Sequence, residues 1–372
     1  MVRFTLPRDL YHGKGALEAL KTLKGKKAII CVGGGSMKRF GFLQRAEDYL
    51  KEAGMEVKLF EGIESDPSVD TVMKGAKVME EYQPDWIVAI GGGSPIDAAK
   101  AMWIKYEYPD TTFEDMCKVF GLPKLRTKAH FCAVSSTSGT ATEVTAFSVI
   151  TDYEKGIKYP LADFEITPDV AIVDPELAET MPKKLVAHTG MDAMTHAIEA
   201  YVSTANCDYT DALALHACEI VFKYLRRAYK DPQDKEARAK MAEASVIAGL
   251  AFTLPKTTSS HACSFPLTNL YHIPHGEACG LTLDCFARIN AEVENGRVHE
   301  FARKLGFADT YALADAIHEL KVDLGLRLDL KDFNLTDEQD AELVKTSHHP
   351  NMLNNPVEIT DEILNEMYQS MR

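Results

Sequence analysis

The sequence predicts two domains: an α/β domain built on a parallel sheet, followed by an all-α domain. Three observations carry that reading. At 372 residues, the chain exceeds what one hydrophobic core usually spans. In its first half, short apolar runs alternate with helical stretches, and the runs are too continuous for a strand with a solvated face. A parallel sheet covered on both sides has this pattern. After Pro175 the texture becomes mainly helical, as in DALALHACEIVFKYLRRAYK and DKEARAKMAEASVIAGLAF.

The elements follow in order. KKAIICV is a strand that breaks into Gly33-Gly34-Gly35-Ser36, and FLQRAEDYLKEAG is a helix with a polar face. MEVKLFEG alternates as a strand does, with Val57 and Leu59 on one side. VDTVMKGAKVMEEYQ places apolar residues at 69, 72, 76 and 79, a helical spacing. DWIVAI is a buried strand that again runs into three glycines and a serine, and IDAAKAMWIKY continues as a helix. HFCAVSST and DVAIVD are further strands. A boundary near 178–183, at ETMPKK, divides an α/β domain, 1–181, from a helical domain, 182–372.

Composition excludes several classes. Hydrophobic residues make up 46% and charged residues 26%, as in an ordinary globular protein. The formal net charge of −14 argues against nucleic acid or anionic membranes as partners. The first residues, MVRFTLPRDLYHGKG, lack the apolar core of a signal peptide, and no run approaches the roughly 18 apolar residues of a membrane span. The eight cysteines form no C-x-x-C pair and read as reduced thiols, so a cytoplasmic location is expected. Cys263 and Cys279 lie near a group of histidines and read as small buried residues.

The two glycine turns ask for a dinucleotide. In VAIGGGSPIDAAK a strand, a glycine turn and a helix start follow one another. Glycines let the backbone approach a ligand, and the helix start offers unpaired N–H groups and a positive dipole end to a phosphate. Gly92 and Gly93 form that turn; Ser94 can cap the helix or contact a phosphate oxygen, and Asp97 can complete a capping arrangement or touch a ribose. The G-x-G-x-x-G fingerprint is absent. The turn at Gly33, Gly34, Gly35 and Ser36 carries no acid and is followed by Lys38 and Arg39. That suits a 2′-phosphate, favouring NADP(H) over NAD(H). SSTSGTATEVT, straight after a strand, is rich in hydroxyls that can wrap a pyrophosphate or a ribose, or satisfy the loop's own backbone.

Four residues of the second half could close on one divalent cation. Asp192 and His196 are four apart in HTGMDAMTHAIEAYVS, on one face of a helix, and His261 and His275 bracket HACSFPLTNLYHIPHGE. His272 is a candidate for proton delivery, and Phe252 and Phe265 for an apolar wall suited to short aliphatic aldehydes.

Read together and in order, GGGSPIDAAK, SSTSGTATEVT, IVDPEL, GMDAMTHAIEAYVS, HACSFPLTNLYHIPHGEA and NNPVEITDEILNEMY resemble the iron-containing (group III) alcohol dehydrogenases over nearly the whole chain. GGGSMKRFG is similar to their NADPH-dependent, butanol-dehydrogenase-like branch. The resemblance implies a dehydroquinate-synthase-like two-domain architecture, with cofactor and metal in the cleft between the domains, and a homodimer. It implies Asp192, His196, His261 and His275 as ligands of Fe²⁺, with Zn²⁺ suited to the same donors. It places Gly92, Gly93, Ser94 and Asp97 at the pyrophosphate side, Ser136, Thr137 and Thr140 along the cofactor, and Lys158 near the nicotinamide ribose. The implied reaction is hydride transfer between NAD(P)H and a small aldehyde or primary alcohol, with the metal as Lewis acid. A glycerol-dehydrogenase-like polyol oxidoreductase and a semialdehyde reductase of the 4-hydroxybutyrate type are the alternatives; relatives of the first kind usually lack a match to His196. The chain departs from the family pattern at Phe265, where many members carry a histidine, at Ser135, where proline is usual, and at Ala141, where glycine is frequent.

Overall fold

The computed structural model describes residues 3–293 and 295–372, which divide into two compact units, one ending at Met181 and the other starting at Pro182. The first unit carries the strands β1 Asp9–His12, β2 Lys27–Gly33, β3 Glu56–Ile63, β4 Trp86–Gly91, β5 His130–Ser135, β6 Phe147–Asp152, β7 Ile157–Ala162 and β8 Val170–Val173. Its helices are α1 Ser36–Arg39, α2 Phe42–Glu52, α3 Val69–Tyr82, α4 Gly93–Glu107, α5 Phe113–Met116 and α6 Pro175–Ala178. Six strands make one sheet in the order β1-β8-β5-β4-β2-β3, every pair parallel.

Alternation of side chains along each strand builds two apolar layers. Ile29, Cys31, Ile87, Ala89, Phe131 and Ala133 meet Val72 and Met79 of α3 and Met102 and Trp103 of α4. On the other face Ala28, Ile30, Val32, Val88, Ile90 and Val134 meet Leu17, Leu20, Leu43 and Leu50. The strand-to-helix turns at Gly33 and Gly91 therefore stand at the carboxyl ends of β2 and β4, where parallel sheets bind ligands. Two features lie outside the sequence reading. β1 is exposed at all four residues and so shows no apolar run, and β6 pairs antiparallel with β7 as a separate hairpin.

The second unit is helical: α7 Lys183–Val202, α8 Asp208–Lys230, α9 Lys235–Phe252, α10 Ser259–Tyr271, α11 His275–Asn290, α12 Arg297–Lys304, α13 Thr310–Asp323, α14 Asp337–Ser347 and α15 Asp361–Ser370. α7 is buried on nearly every face and packs against α8, α9 and α11. The first turn of α11 comes close to α7 because residue 276 is glycine: a Cβ there would lie 2.1 Å from the carbonyl oxygen of His188. Among the described residues, no helix is long and apolar enough to cross a membrane.

Candidate metal and nucleotide sites

In the helical unit, three imidazoles converge on one carboxylate oxygen. Asp192 Oδ1 lies 3.9 Å from His196 Nε2, 3.6 Å from His261 Nε2 and 3.8 Å from His275 Nε2. These separations are too long for hydrogen bonds. They are close to the roughly 3–3.5 Å between neighbouring donors that each lie about 2.0–2.2 Å from a shared cation. Asp192 Oδ1 and His261 Nε2 are buried and have no hydrogen-bond partner. A buried carboxylate oxygen left unpaired is costly, so the donor set fits a divalent cation. His275 is the open member, its side chain 40% exposed, while Asp192, His196 and His261 are buried.

The electrostatics suit that use. Burial raises the Asp192 carboxyl, but His196, His261 and His275 outweigh it and hold the group well below the usual carboxylate range. Burial pushes His196 down to about 4 against the pull of Asp192, with the imidazoles of His261 and His275 adding to the fall, so it is neutral near pH 7. Burial also lowers His261 and His275, but Cys279 and nearby carboxylates more than reverse it and leave both raised. A cation would therefore compete with protons there.

Two residues belong to this site that the sequence reading did not assign to it. Glu199 follows Asp192 by seven and His196 by three, on the same face of α7, and that spacing is the signal that could have found it. Its Oε2 meets His261 Nδ1 at 2.6 Å and accepts from Thr258 N at 3.0 Å, while Oε1 accepts from Ser260 N at 2.6 Å and Thr258 Oγ1 at 2.9 Å. One carboxylate thus satisfies the start of α10 and turns the Nε2 of His261 toward Asp192, as second carboxylates do in metal–histidine sites. Cys279 is the other. Its Sγ lies 3.7 Å from His275 Nε2, one helical turn along α11, and burial of the thiol is outweighed by His261 and His275, which bring it down to about 7.

Phe252 stacks on His196, with ring centroids 4.1 Å apart at 11°. Phe265 stands 6.4 Å from the His275 ring and 4.7 Å from that of His349. The structure does not bring His272 to this group. It is exposed and closes α10 in a left-handed conformation with φ of 54°, so it acts as a helix stop.

In the first unit, α4 starts at Gly93 directly after β4, and no side chain caps it. The capping expected of Ser94 and Asp97 is absent for a physical reason: both are used elsewhere. Ser94 Oγ accepts from Asp66 N at 3.3 Å. Asp97 turns inward, its Oδ1 accepting from Thr142 Oγ1 at 2.6 Å and its Oδ2 from Val149 N at 3.0 Å. The uncapped N–H groups leave the helix start suited to a phosphate. Thr137 and Thr140 lie against this turn, since a Cβ on Gly92 or Gly93 would meet their methyl groups at 3.1 Å. Thr137 Oγ1 is buried without a hydrogen-bond partner, and Ser136 N donates to Gly91 O at 2.7 Å. Lys158 reaches the same turn through Asp66, its Nζ 2.7 Å from Asp66 Oδ1. At the other turn, α1 begins at Ser36 after Gly33, Gly34 and Gly35, and Lys38 pairs with Glu61 of β3 at 3.1 Å. The acid that pairs with this turn's lysine therefore comes from the neighbouring strand.

Comparison with known proteins agrees with this chemistry. A family model described as iron-containing alcohol dehydrogenase matches residues 7–175, and the C-terminal model of the Fe-containing alcohol dehydrogenase family matches 186–371. The chain is 53% identical over 345 residues to an NADPH-dependent butanol dehydrogenase of Clostridium saccharobutylicum, covering 91% of this chain and 88% of that one. A sulfoacetaldehyde reductase of Bifidobacterium kashiwanohense, solved in complex with NAD⁺, superposes with a TM-score of 0.94 at 45% identity, covering 100% of this chain and 98% of that one. The iron-containing alcohol dehydrogenase of Thermococcus thioreducens gives 0.91 at 34% identity, covering 99% of each chain. A parallel-sheet unit followed by a helical unit is the dehydroquinate-synthase-like architecture of these structures. The chain belongs to the iron-containing alcohol dehydrogenase family, enzymes that interconvert alcohols and aldehydes.

Proposed function

We propose that this chain reduces short aliphatic aldehydes with NADPH at a divalent cation, and oxidises the corresponding primary alcohols in reverse. The observation that carries the reading is the convergence of His196, His261 and His275 on the unpartnered Oδ1 of Asp192. These four residues hold the cation, Fe²⁺ by family and Zn²⁺ on the same donors. When bound, the cation supplies Lewis acidity toward a substrate oxygen and the nicotinamide supplies the hydride.

The chain's own groups do the rest. Glu199 fixes the tautomer of His261 so that Nε2 presents a lone pair. Phe252 and Phe265 exclude water and favour an apolar tail over a charged one. The start of α4, with Gly92, Gly93 and Ser94, takes the pyrophosphate, and Ser136, Thr137, Thr140 and Lys158 line the cofactor, with Asp97 bracing the helix from within. Gly33, Gly34, Gly35 and Ser36 take the 2′-phosphate, aided by Lys38 released from Glu61. A cytoplasmic homodimer is the form we propose for the working enzyme.

The test is a kinetic panel on the metal-loaded chain. Butyraldehyde with NADPH should give the highest kcat/KM, above NADH and above sulfoacetaldehyde. His261→Ala should abolish turnover while leaving the circular-dichroism spectrum and NADPH fluorescence quenching intact. Full turnover in that variant would remove the assignment, and a clear NADH preference would remove the reading of the Gly33 turn.

A further inference from the structure

We propose that Cys279 is a further donor to the metal, a thiolate beside Asp192, His261 and His275. The inference rests on the metal reading above and extends it to a residue which that reading does not use. Cys279 follows His275 by one helical turn on α11, so both side chains leave the helix on the same face. Its Sγ is 3.7 Å from His275 Nε2. One ligand atom each from Asp192, His261, His275 and Cys279 lie within 4.8 Å of one another.

Bond lengths decide whether one ion can serve all of them. Donors held at about 2.0–2.3 Å from one cation can be no more than roughly 4.6 Å apart, even when opposite. Shifts of a few tenths of an ångström therefore bring Asp192, His261, His275 and Cys279 into coordination together, while His196 falls outside this group of four. The buried Asp192 Oδ1 and His261 Nε2, only 2% and 4% exposed as residues, have no hydrogen-bond partner and lie 3.6 Å apart in the same cluster. That makes the cysteine part of a built pocket, with donors already waiting on its far side.

In the binding step the metal–sulfur bond forms as the thiol proton leaves to solvent, with no change of oxidation state. Carboxylate and thiolate together neutralise a dication beside buried Asp192 and His261, where an unbalanced charge is costly. A sulfur donor also softens the site and shifts its preference toward Zn²⁺ or Co²⁺ relative to an oxygen and nitrogen set.

The experiment replaces the native metal by Co²⁺ in the purified full-length chain and records its absorption. The wild type should show visible ligand-field bands together with a near-ultraviolet sulfur-to-cobalt charge-transfer band. Cys279→Ser should keep the ligand-field bands and lose the charge-transfer band, with an unchanged far-ultraviolet spectrum. Ligand-field bands without a charge-transfer band in the wild type would overturn the proposal while leaving the metal site standing. A charge-transfer band that survives Cys279→Ser would assign the sulfur to another cysteine and also overturn it. Absence of ligand-field bands in the wild type would overturn the metal reading, and this proposal with it.

Discussion

At the scale of single residues, the chemistry turns on a carboxylate oxygen that has nothing to bond to. Asp192 Oδ1 is buried on α7 with three imidazole nitrogens just beyond hydrogen-bond reach. Leaving one buried acceptor unpaired costs about 1–3 kcal/mol, and more when it is charged. A cation bound by the proposed ligands would offset that cost, and Glu199 holds Nδ1 of His261 so that Nε2 faces Asp192. Glu199→Gln tests the point. The amide keeps the size of the carboxylate but loses its charge and one of its two acceptor oxygens, so the Nε2 of His261 becomes less basic. Metal affinity, measured by competition with a chelator, should fall about 10–100-fold while the chain stays folded. An unchanged affinity would show that Glu199 serves only the start of α10. The four proposed ligands were legible because Asp-x-x-x-His on one helix is a local pattern. Glu199 was missed because its partners, Thr258 and Ser260, lie about sixty residues away. His272, near His275 in sequence, instead ends α10 in a left-handed conformation, and nearness in sequence says nothing of direction once the chain turns there. Ala141 is a related case: its φ of 52° lies in the region glycine favours, as the glycine expected there from the family resemblance would.

At the scale of elements, the sheet was readable because buried parallel strands are continuous apolar runs, and β2, β4, β5 and β8 are all such runs. β1 and the β6–β7 hairpin were not, because β1 is wholly exposed and β7 carries Pro160 and mostly polar or half-buried positions. That hairpin explains Asp97. The carboxylate bonds Thr142 and Val149, and Lys100 one turn later donates to the carbonyls of Thr142, Thr145 and Phe147. α4 is thereby pinned to the segment that carries Thr140. Burial lowers Lys100 to about 8 and raises Glu143, in the same segment, to about 7. The two act in opposite directions on stability. Between pH 4.5 and about 7 the folded chain holds a proton on Glu143 that the unfolded chain has lost, so stability falls as pH rises through that window. Between about 8 and 10.5 the unfolded chain holds a proton on Lys100 that the folded chain has lost, so stability rises with pH. Glu143→Gln should remove the first effect. In urea unfolding, the variant should gain stability over the wild type on going from pH 5 to pH 8, by on the order of 2 kcal/mol. A constant difference across that range would show that Glu143 ionises in the folded chain as it does in water.

At the scale of the whole molecule, the two proposed binding sites fall in different units, which differ in what a ligand can do for them. The glycine turns use backbone N–H groups that exist whether or not a nucleotide is present, so the sheet depends little on its ligand for assembly. The proposed metal ligands come from α7, α10 and α11, three helices of the second unit whose mutual approach brings carboxylate, imidazoles and thiol together. A cation there acts as a cross-link among helices and binds the folded unit far better than the unfolded one. Linkage then fixes the size of the effect. A metal present at 100 times its dissociation constant adds about 2.7 kcal/mol. For a unit of this length that is a rise of roughly 5–10 °C in Tm. Scanning calorimetry of the metal-loaded and chelator-stripped chain should therefore show a transition that rises with metal, and NADPH should raise Tm by its own linkage. His196→Ala should abolish the metal-dependent rise and preserve the nucleotide-dependent one. Metal that leaves Tm unchanged would remove the cross-link from this account of the helical unit.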